Sequence, residues 1–120
     1  MTEGVLQNHN VLVIEDEYLV AMDLQDKLRD LGAVVVGPIG RLDEALAVIE
    51  AGTTIDSAVL DINLGGQAAY PAADLLLQRN IPFVFTTGYD DSAIPARFQD
   101  VVSLKKPVEA EKLRQALINA

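Results

Sequence analysis

Residues 11–17 read VLVIEDE, four apolar residues followed at once by three carboxylates. Three of the four apolar residues are β-branched, which is typical of a strand that is buried on both faces. Glu15, Asp16 and Glu17 would then lie at one edge of the core, where their negative charges repel one another. This stretch therefore predicts a central parallel strand with an acidic site at its carboxyl end.

Strand-like and helix-like segments alternate along the rest of the chain. Apolar runs predict strands over residues 11–14, 33–36, 55–61, 81–87 and 101–104. Apolar positions at helical spacing predict helices over residues 17–31, 42–49, 70–79 and 108–118. The first helix is expected to bury a stripe that consists of Leu19, Leu24, Leu28 and Leu31.

This alternation predicts an α/β fold, with a five-stranded parallel sheet that carries helices on both faces. Right-handed crossovers leave few topologies, and we expect the flavodoxin-like strand order 2-1-3-4-5. Gly37 and Pro38 predict a turn that ends the second strand. Residues 88–100 contain Pro95 and only a thin apolar stripe, so the fourth helix is expected to be short or disordered.

The composition narrows the classes of function. The 120 residues include 18 acidic and 9 basic side chains, and a net charge of −9 disfavours nucleic acid or an anionic membrane as partner. The chain has no cysteine, which excludes disulfides and thiolate metal sites and suits a reducing cytoplasm. No secretion signal or apolar stretch of roughly 20 residues is found. We expect one cytoplasmic domain over residues 1–120, with its core at about 10–119.

Reactive residues follow four of the predicted strands. Glu15 and Asp16 follow the first strand, Asp61 ends the third, Thr87 ends the fourth, and Lys106 comes after the fifth. The carboxyl ends of parallel strands share one edge, which is where ligands bind in such sheets. Crowded carboxylates favour a hard divalent cation, and Mg²⁺ binds through carboxylates together with phosphate oxygens. The set predicts a Mg²⁺-dependent phosphoryl-transfer site in which Asp61 is the candidate nucleophile.

Taken alone, each of these residues also has a purely structural interpretation. Glu15 and Asp16 could favour the positive end of a helix dipole, and Asp61 could be an ordinary turn residue. Lys106 alone is most simply a solvated lysine, and His9, the only histidine, a solvated residue near the terminus. The chemical interpretation therefore depends on the residues meeting at one edge of the sheet.

The ordered set of motifs resembles the receiver domain of two-component response regulators. The resemblance covers residues 10–119 and rests on IEDE at 14–17, VLDIN at 59–63, FTTG at 85–88 and KKP at 105–107. It implies that Asp61 accepts a phosphoryl group. It also implies a Mg²⁺ site formed by Asp16, Asp61, the backbone carbonyl of Asn63 and, directly or through water, Glu15.

The same resemblance assigns roles around the phosphoryl group. Thr87 would bond the phosphoryl oxygens and Lys106 would form their ion pair, while the Lys106–Pro107 peptide bond is commonly cis in the family. The positions that would carry the switch or the output surface are Gly88, Tyr89, Ser103 and Pro107.

Two residues depart from the family pattern. Glu15 stands where most receivers have aspartate, and its longer side chain changes its reach toward a metal. Ser103 stands where most receivers have an aromatic switch residue. We therefore expect Tyr89, or a change of order within residues 90–100, to take over the coupling that such a ring provides.

A narrower resemblance concerns FTTGY at 85–89, NLGG at 63–66 and YPAAD at 70–74, which look like the FAT GUY subgroup of receivers. Members of this subgroup are often single-domain proteins associated with sensor kinases of the HWE and HisKA2 types. The resemblance implies a signalling switch rather than an enzyme with a separate substrate. Its phosphoryl donor would be such a histidine kinase or a histidine phosphotransfer protein. Its output would be protein binding, relay of the phosphoryl group or action as a phosphate sink. The protein would be a monomer or weak dimer.

Two other classes of function stay open. A pseudo-receiver would keep the fold as an interaction module without phosphorylation, although the intact Asp16, Asp61, Thr87 and Lys106 count against it. A metal-dependent phosphatase-like protein would turn over a separate substrate. A nucleotide or flavin site is disfavoured, because no glycine-rich loop follows the first strand.

Overall fold

The computed structural model describes residues 4–88 and 94–119. Over these residues the elements are β1 (Asn10–Ile14), α1 (Tyr18–Asp30), β2 (Val34–Ile39), α2 (Leu42–Glu50), β3 (Ser57–Asp61), β4 (Asn63–Leu64), β5 (Gln67–Ala68), α3 (Tyr70–Gln78), β6 (Phe83–Thr87), a 3₁₀ turn, η1 (Ala96–Phe98), β7 (Ser103–Lys105) and α4 (Ala110–Ile118). In the described ranges, no helix is both long enough and apolar enough to span a membrane.

Five strands form one parallel sheet in the order β2-β1-β3-β6-β7. With the short strands β4 and β5 set aside, this is the predicted order 2-1-3-4-5, and the flavodoxin-like fold is confirmed. One face of the sheet packs on α2, α3 and η1, and the other face packs on α1 and α4. The central strands β3 and β6 are buried along their whole length, as their apolar runs predict.

The second strand is longer than the sequence predicts. β2 runs through Gly37 and Pro38 to Ile39, with a cis peptide bond between the first two residues and a φ of 100° at Gly37. The pairing with β1 shifts between Leu12 and Ile14, so the strand accommodates one extra residue where the turn was expected. A side chain at position 37 would meet backbone atoms at 2.9 Å, which explains why this bulge needs glycine.

Helix α1 buries a different stripe from the one that its leucines predict. Leu24 and Leu28 are fully buried and are joined by Ala21, whereas Leu19 is 79% exposed. At 3.6 residues per turn, Leu19 and Leu24 lie about 140° apart around the helix axis, so they cannot share one face. Leu19 was therefore wrongly assigned to the core, and the buried residues of α1 are Ala21, Leu24 and Leu28.

A short antiparallel hairpin follows β3, and the sequence analysis missed it. Asn63 pairs with Ala68 and Leu64 with Gln67, around the two glycines Gly65 and Gly66. Both glycines have positive φ angles, 59° and 88°, which is the backbone that a tight two-residue hairpin turn requires. The sequence signal was the Gly-Gly pair itself, which commonly connects two hairpin strands.

The fourth helical position of the fold holds a single 3₁₀ turn, Ala96–Phe98, within the described residues. This agrees with the expectation of a short fourth helix. Phe98 is 1% exposed and inserts into the core, where its ring lies 5.6 Å from the rings of Tyr70 and Phe85. The η1 turn is thus attached to α3 and β6 by an aromatic cluster.

Candidate active site

The sheet topology brings residues from four strands to one cavity at its carboxyl edge. β1 ends at Ile14, β3 at Asp61, β6 at Thr87 and β7 at Lys105, so the residues at and just beyond these ends face the same side. The cavity has a volume of about 320 Å³. The polar and charged side chains that line it are Asp16, Glu17, Asp61, Asn63, Thr87 and Lys106.

Three carboxylates gather beside this cavity. Glu15, Asp16 and Asp61 each offer an oxygen atom, and these atoms lie within 4.8 Å of one another. Glu15 and Asp61 are buried, whereas Asp16 is exposed. Three like charges this close repel one another unless a positive charge lies between them or one of them takes up a proton.

Lys106 provides the positive charge that offsets this repulsion. Its Nζ donates a hydrogen bond to Asp61 Oδ2 at 2.8 Å, and it lies 2.8 Å from Glu15 Oε1 and 3.6 Å from Glu17 Oε1. Burial alone would lower the pKa of Lys106, but its contacts with Asp61 and Glu15 outweigh burial and raise the pKa above the ordinary value. The ammonium is therefore charged throughout the physiological range.

Glu15 is the most deeply buried carboxylate of the cluster. Its Oε2 accepts a hydrogen bond from the Glu17 backbone N–H at 3.0 Å. Its buried Oε1 is in ion-pair range of Lys106 but accepts no aligned hydrogen bond from the described part of the chain. Burial raises the pKa of Glu15 to about 7, although the contact with Lys106 works in the opposite direction.

This geometry fits a hard divalent cation. Such ions bind carboxylate oxygens, and Glu15 Oε1 is a buried oxygen whose hydrogen-bonding capacity is not met by the described residues. The opposite side of the cluster opens into the cavity, which has room for water molecules or phosphate oxygens.

Asp61 is oriented by contacts on both of its oxygens. Oδ1 accepts a hydrogen bond from the Asn63 backbone N–H at 3.1 Å, and Oδ2 accepts the one from Lys106. Asn63 lies in the hairpin, where its own side-chain Oδ1 accepts a hydrogen bond from the Gly66 N–H at 2.8 Å. The hairpin that the sequence analysis missed therefore fixes the loop beside Asp61.

Thr87 and Gly88 lie at the end of β6, on the side of the cavity near Lys106. The backbone oxygen of Thr87 accepts a hydrogen bond from the Lys106 N–H at 2.9 Å, so the ends of β6 and β7 are joined directly at the site. Gly88 also lines the cavity. Tyr89, which the sequence analysis assigned to the switch, lies outside the described residues.

Ser103 and Pro107 lie at the two ends of the β7 region. Ser103 pairs with Phe85, and its buried hydroxyl has no hydrogen-bond partner within residues 4–88 and 94–119. The Lys106–Pro107 peptide bond is cis, as the resemblance implies. Neither side chain lies in the carboxylate cluster, so the structure separates these two positions from the Asp61 group.

Sequence reasoning assigned no role to Glu17, which lies beside the cluster. It lines the cavity with Asp16, and its carboxylate lies within ion-pair range of Lys106. The signal in the sequence was the unbroken acidic run at 15–17, of which only the first two residues were assigned a role.

This combination of sheet order and site defines a class of signalling proteins. Residues 11–118 match the model of the response regulator receiver domain, so the chain belongs to that family. The family that the motifs indicated is thereby confirmed. Receiver domains are signalling modules of two-component systems rather than conventional enzymes, and they bind Mg²⁺ at an acidic pocket.

The comparison with known proteins gives particular relatives. SdrG from Sphingomonas melonis Fr1 is 42% identical, with a TM-score of 0.82 over 92% of this chain and 94% of SdrG. The BeF3-activated conformation of SdrG, from Pseudomonas melonis Fr1, has a TM-score of 0.76 over 91% of this chain and 92% of that chain, at 42% identity. The transcriptional regulatory protein PdtaR of Mycobacterium tuberculosis is 30% identical over 111 residues, which are 89% of this chain and 54% of PdtaR. The chain thus spans about half the length of this curated relative.

Proposed function

We propose that this domain is a signalling switch that accepts a phosphoryl group on Asp61. One observation carries the proposal: the Asp61 carboxylate borders an open cavity, 2.8 Å from the Lys106 ammonium and beside two further carboxylates. A nucleophile with a cation on one side and a metal-binding cluster on the other is what phosphoryl transfer requires.

In this proposal the metal site is formed by Glu15, Asp16, Asp61 and the backbone carbonyl of Asn63. When bound, Mg²⁺ would neutralise charge on the carboxylates and on the phosphoryl oxygens. The buried Glu15 Oε1 and the close spacing of the three carboxylates support this assignment.

The phosphoryl donor is a phosphohistidine of a sensor kinase or of a histidine phosphotransfer protein. An Asp61 oxygen attacks phosphorus, a new P–O bond forms, and the P–N bond to histidine breaks. The imidazole, protonated on its other ring nitrogen, leaves with the electron pair of the broken bond as neutral histidine. Lys106 pairs with one phosphoryl oxygen and the Thr87 hydroxyl bonds another. No separate substrate is turned over.

Phosphorylation would be read out beyond β6 and through β7. The hydrogen bond between Lys106 N–H and the Thr87 oxygen supports this path, because a shift of one strand end acts on the other. Gly88, Tyr89, Ser103 and Pro107 belong to the proposed output region. We further propose that the domain, 1–120 with its core at 10–119, acts in the cytoplasm, as a monomer or weak dimer.

The narrower assignment follows the FAT GUY resemblance, which points to a partner kinase of the HWE or HisKA2 type. The similarity to SdrG, 42% identical over 92% of this chain, supports the signalling role of the domain. The signal would leave by protein binding, by relay or through a phosphate sink.

The test is a two-dimensional amide NMR spectrum recorded with and without Mg²⁺ and beryllofluoride, which mimics an aspartyl phosphoryl group. We expect beryllofluoride, added in the presence of Mg²⁺, to cause shifts centred on residues 15–16, 61–63, 87–89 and 106 that extend to 104, and to cause none in an Asp61→Asn variant. Beryllofluoride is a suitable probe, because the relative SdrG has been described in a BeF3-activated conformation. A wild-type spectrum that stays unchanged would favour the pseudo-receiver function instead.

A further inference from the structure

Glu17 is a carboxylate at the cavity that the proposed mechanism does not use. Its Oε1 lies 3.6 Å from Lys106 Nζ, and its side chain is 66% exposed at the mouth of the cavity. It precedes α1 at the position of the N-cap but makes no side-chain capping hydrogen bond. Its own backbone N–H already bonds to Glu15, and its carboxylate is not part of the three-residue cluster.

Three carboxylates lie within ion-pair range of the single ammonium group of Lys106. Asp61 and Glu15 already pair with the ammonium at 2.8 Å, so the more distant Glu17 is not needed to neutralise it. Glu17 instead adds negative charge where a phosphoryl donor must enter, on the solvent side of the buried pair. A small anionic donor that enters this cavity therefore comes close to the Glu17 carboxylate as well as to Asp61 and Lys106.

We propose that Glu17 determines donor specificity by repelling small, free phosphoanions from Asp61. The inference rests on the proposed function, because it concerns the same transfer to the same residue. A phosphohistidine on a protein is held at the site by the surrounding protein surfaces, which offset this repulsion. A free dianion has no such contacts, so its encounter with Asp61 is disfavoured.

Two small phosphoryl donors that differ in charge distinguish electrostatic repulsion by Glu17 from a structural effect of its substitution. Acetyl phosphate carries two negative charges near neutral pH: the Asp61 oxygen bonds to phosphorus, and acetate leaves with the electron pair of the broken P–O bond. Phosphoramidate carries about one net negative charge, and its amine leaves protonated, as ammonia, when the P–N bond breaks. An electrostatic filter acts more strongly on the first donor than on the second.

The experiment measures the rate of Asp61 phosphorylation at saturating Mg²⁺ in wild type, Glu17→Gln, Glu17→Asp and Glu50→Gln. Glu50 is the last residue of α2 and is exposed, and its substitution makes the same change in net charge outside the cavity. We expect Glu17→Gln to accelerate the reaction of acetyl phosphate about two- to fivefold, the range of an exposed ion pair, and that of phosphoramidate less. Added salt should remove the difference in rate between Glu17→Gln and wild type. The Glu17→Asp variant should react at the wild-type rate with both donors. The Glu50→Gln substitution should change neither rate.

Equal acceleration with both donors, or no acceleration with either, would overturn the role of Glu17 while leaving Asp61 as the acceptor. Wild-type protein that gains no phosphoryl group from either donor in the presence of Mg²⁺ would overturn the proposed function as well. The two failures are therefore distinguishable in the same set of measurements.

Discussion

Lys106 and the carboxylates around it determine the chemistry of the site at the scale of single residues. Asp61 and Glu15 are buried, and the Lys106 Nζ lies 2.8 Å from a carboxylate oxygen of each. Buried charges are tolerated only when they are paired, so each of the three residues depends on the others. The electrostatic cost of this arrangement is what a bound cation would relieve.

Removing the lysine tests this dependence. Lys106→Met should destabilise the metal-free protein by about 3 kcal/mol, because two buried carboxylates lose their partner. Mg²⁺ should restore part of the loss, since the ion supplies positive charge to the same oxygens. Urea unfolding with and without Mg²⁺ measures both effects.

The matched control is Lys112→Met, because the Lys112 side chain is 66% exposed and lies 3.9 Å from Glu109. Its loss should cost less than about 1 kcal/mol and should not respond to Mg²⁺. Equal costs for the two substitutions would show that Lys106 is not part of a buried ion-pair cluster.

The pKa of Glu15 predicts a dependence of stability on pH in the metal-free protein. Its pKa in the folded state is about 7, raised by burial from an ordinary value of 4.5, so between these values the folded state keeps a proton that the unfolded chain has lost. This contribution is fully present below pH 4.5 and is lost as the pH rises to about 7. Wild type should lose on the order of 3 kcal/mol relative to Glu15→Gln across that range. The measurement is the free energy of unfolding in EDTA as a function of pH. The same dependence on pH in wild type and Glu15→Gln would contradict the raised pKa of Glu15.

At the scale of elements, η1 is held to α3 by two kinds of contact. The Arg97 guanidinium donates to both oxygens of Asp74 at 2.8 and 3.0 Å, and the buried Phe98 ring stacks on Tyr70. The ion pair is about half exposed, whereas the ring is buried. Burial of the ring therefore provides most of the attachment.

Two substitutions measure how much the Phe98 ring and the Arg97–Asp74 ion pair each contribute to holding η1 against α3. Phe98→Ala should cost about 3 kcal/mol or more in the free energy of unfolding, because it leaves a cavity in the aromatic cluster. Asp74→Asn should cost less than about 1 kcal/mol, since it removes only a solvent-exposed ion pair. If chemical denaturation gives Asp74→Asn the larger cost, the ion pair rather than the ring holds this turn.

The elements that the sequence predicted well are those with a strong apolar period. α2, α3 and α4 start and end within the predicted ranges or one residue beyond them. Prediction failed where glycine allowed a backbone that other residues avoid, at the Gly37 bulge and at the Gly65–Gly66 turn. It also failed at Leu19, because counting leucines without their angular positions includes a side chain that faces solvent.

At the scale of the whole molecule, the parallel sheet brings residues from distant parts of the chain into one site. Asp61 and Lys106 are 45 positions apart, yet their side chains form a hydrogen bond. The rule that parallel strands end at one edge was enough to predict that such residues converge. It could not predict the ion pair between Lys106 and Glu17, or the hairpin that supports Asn63, because these depend on side-chain reach and local turns.

The most direct test of the central claim is to identify the residue that receives the phosphoryl group. The protein is incubated with Mg²⁺ and phosphoramidate, treated with borohydride, which reduces an aspartyl phosphate to homoserine, and digested for mass spectrometry. The proposal predicts homoserine at position 61 only, and none when EDTA removes Mg²⁺. Modification at another residue, or none at position 61 with Mg²⁺ present, would contradict it.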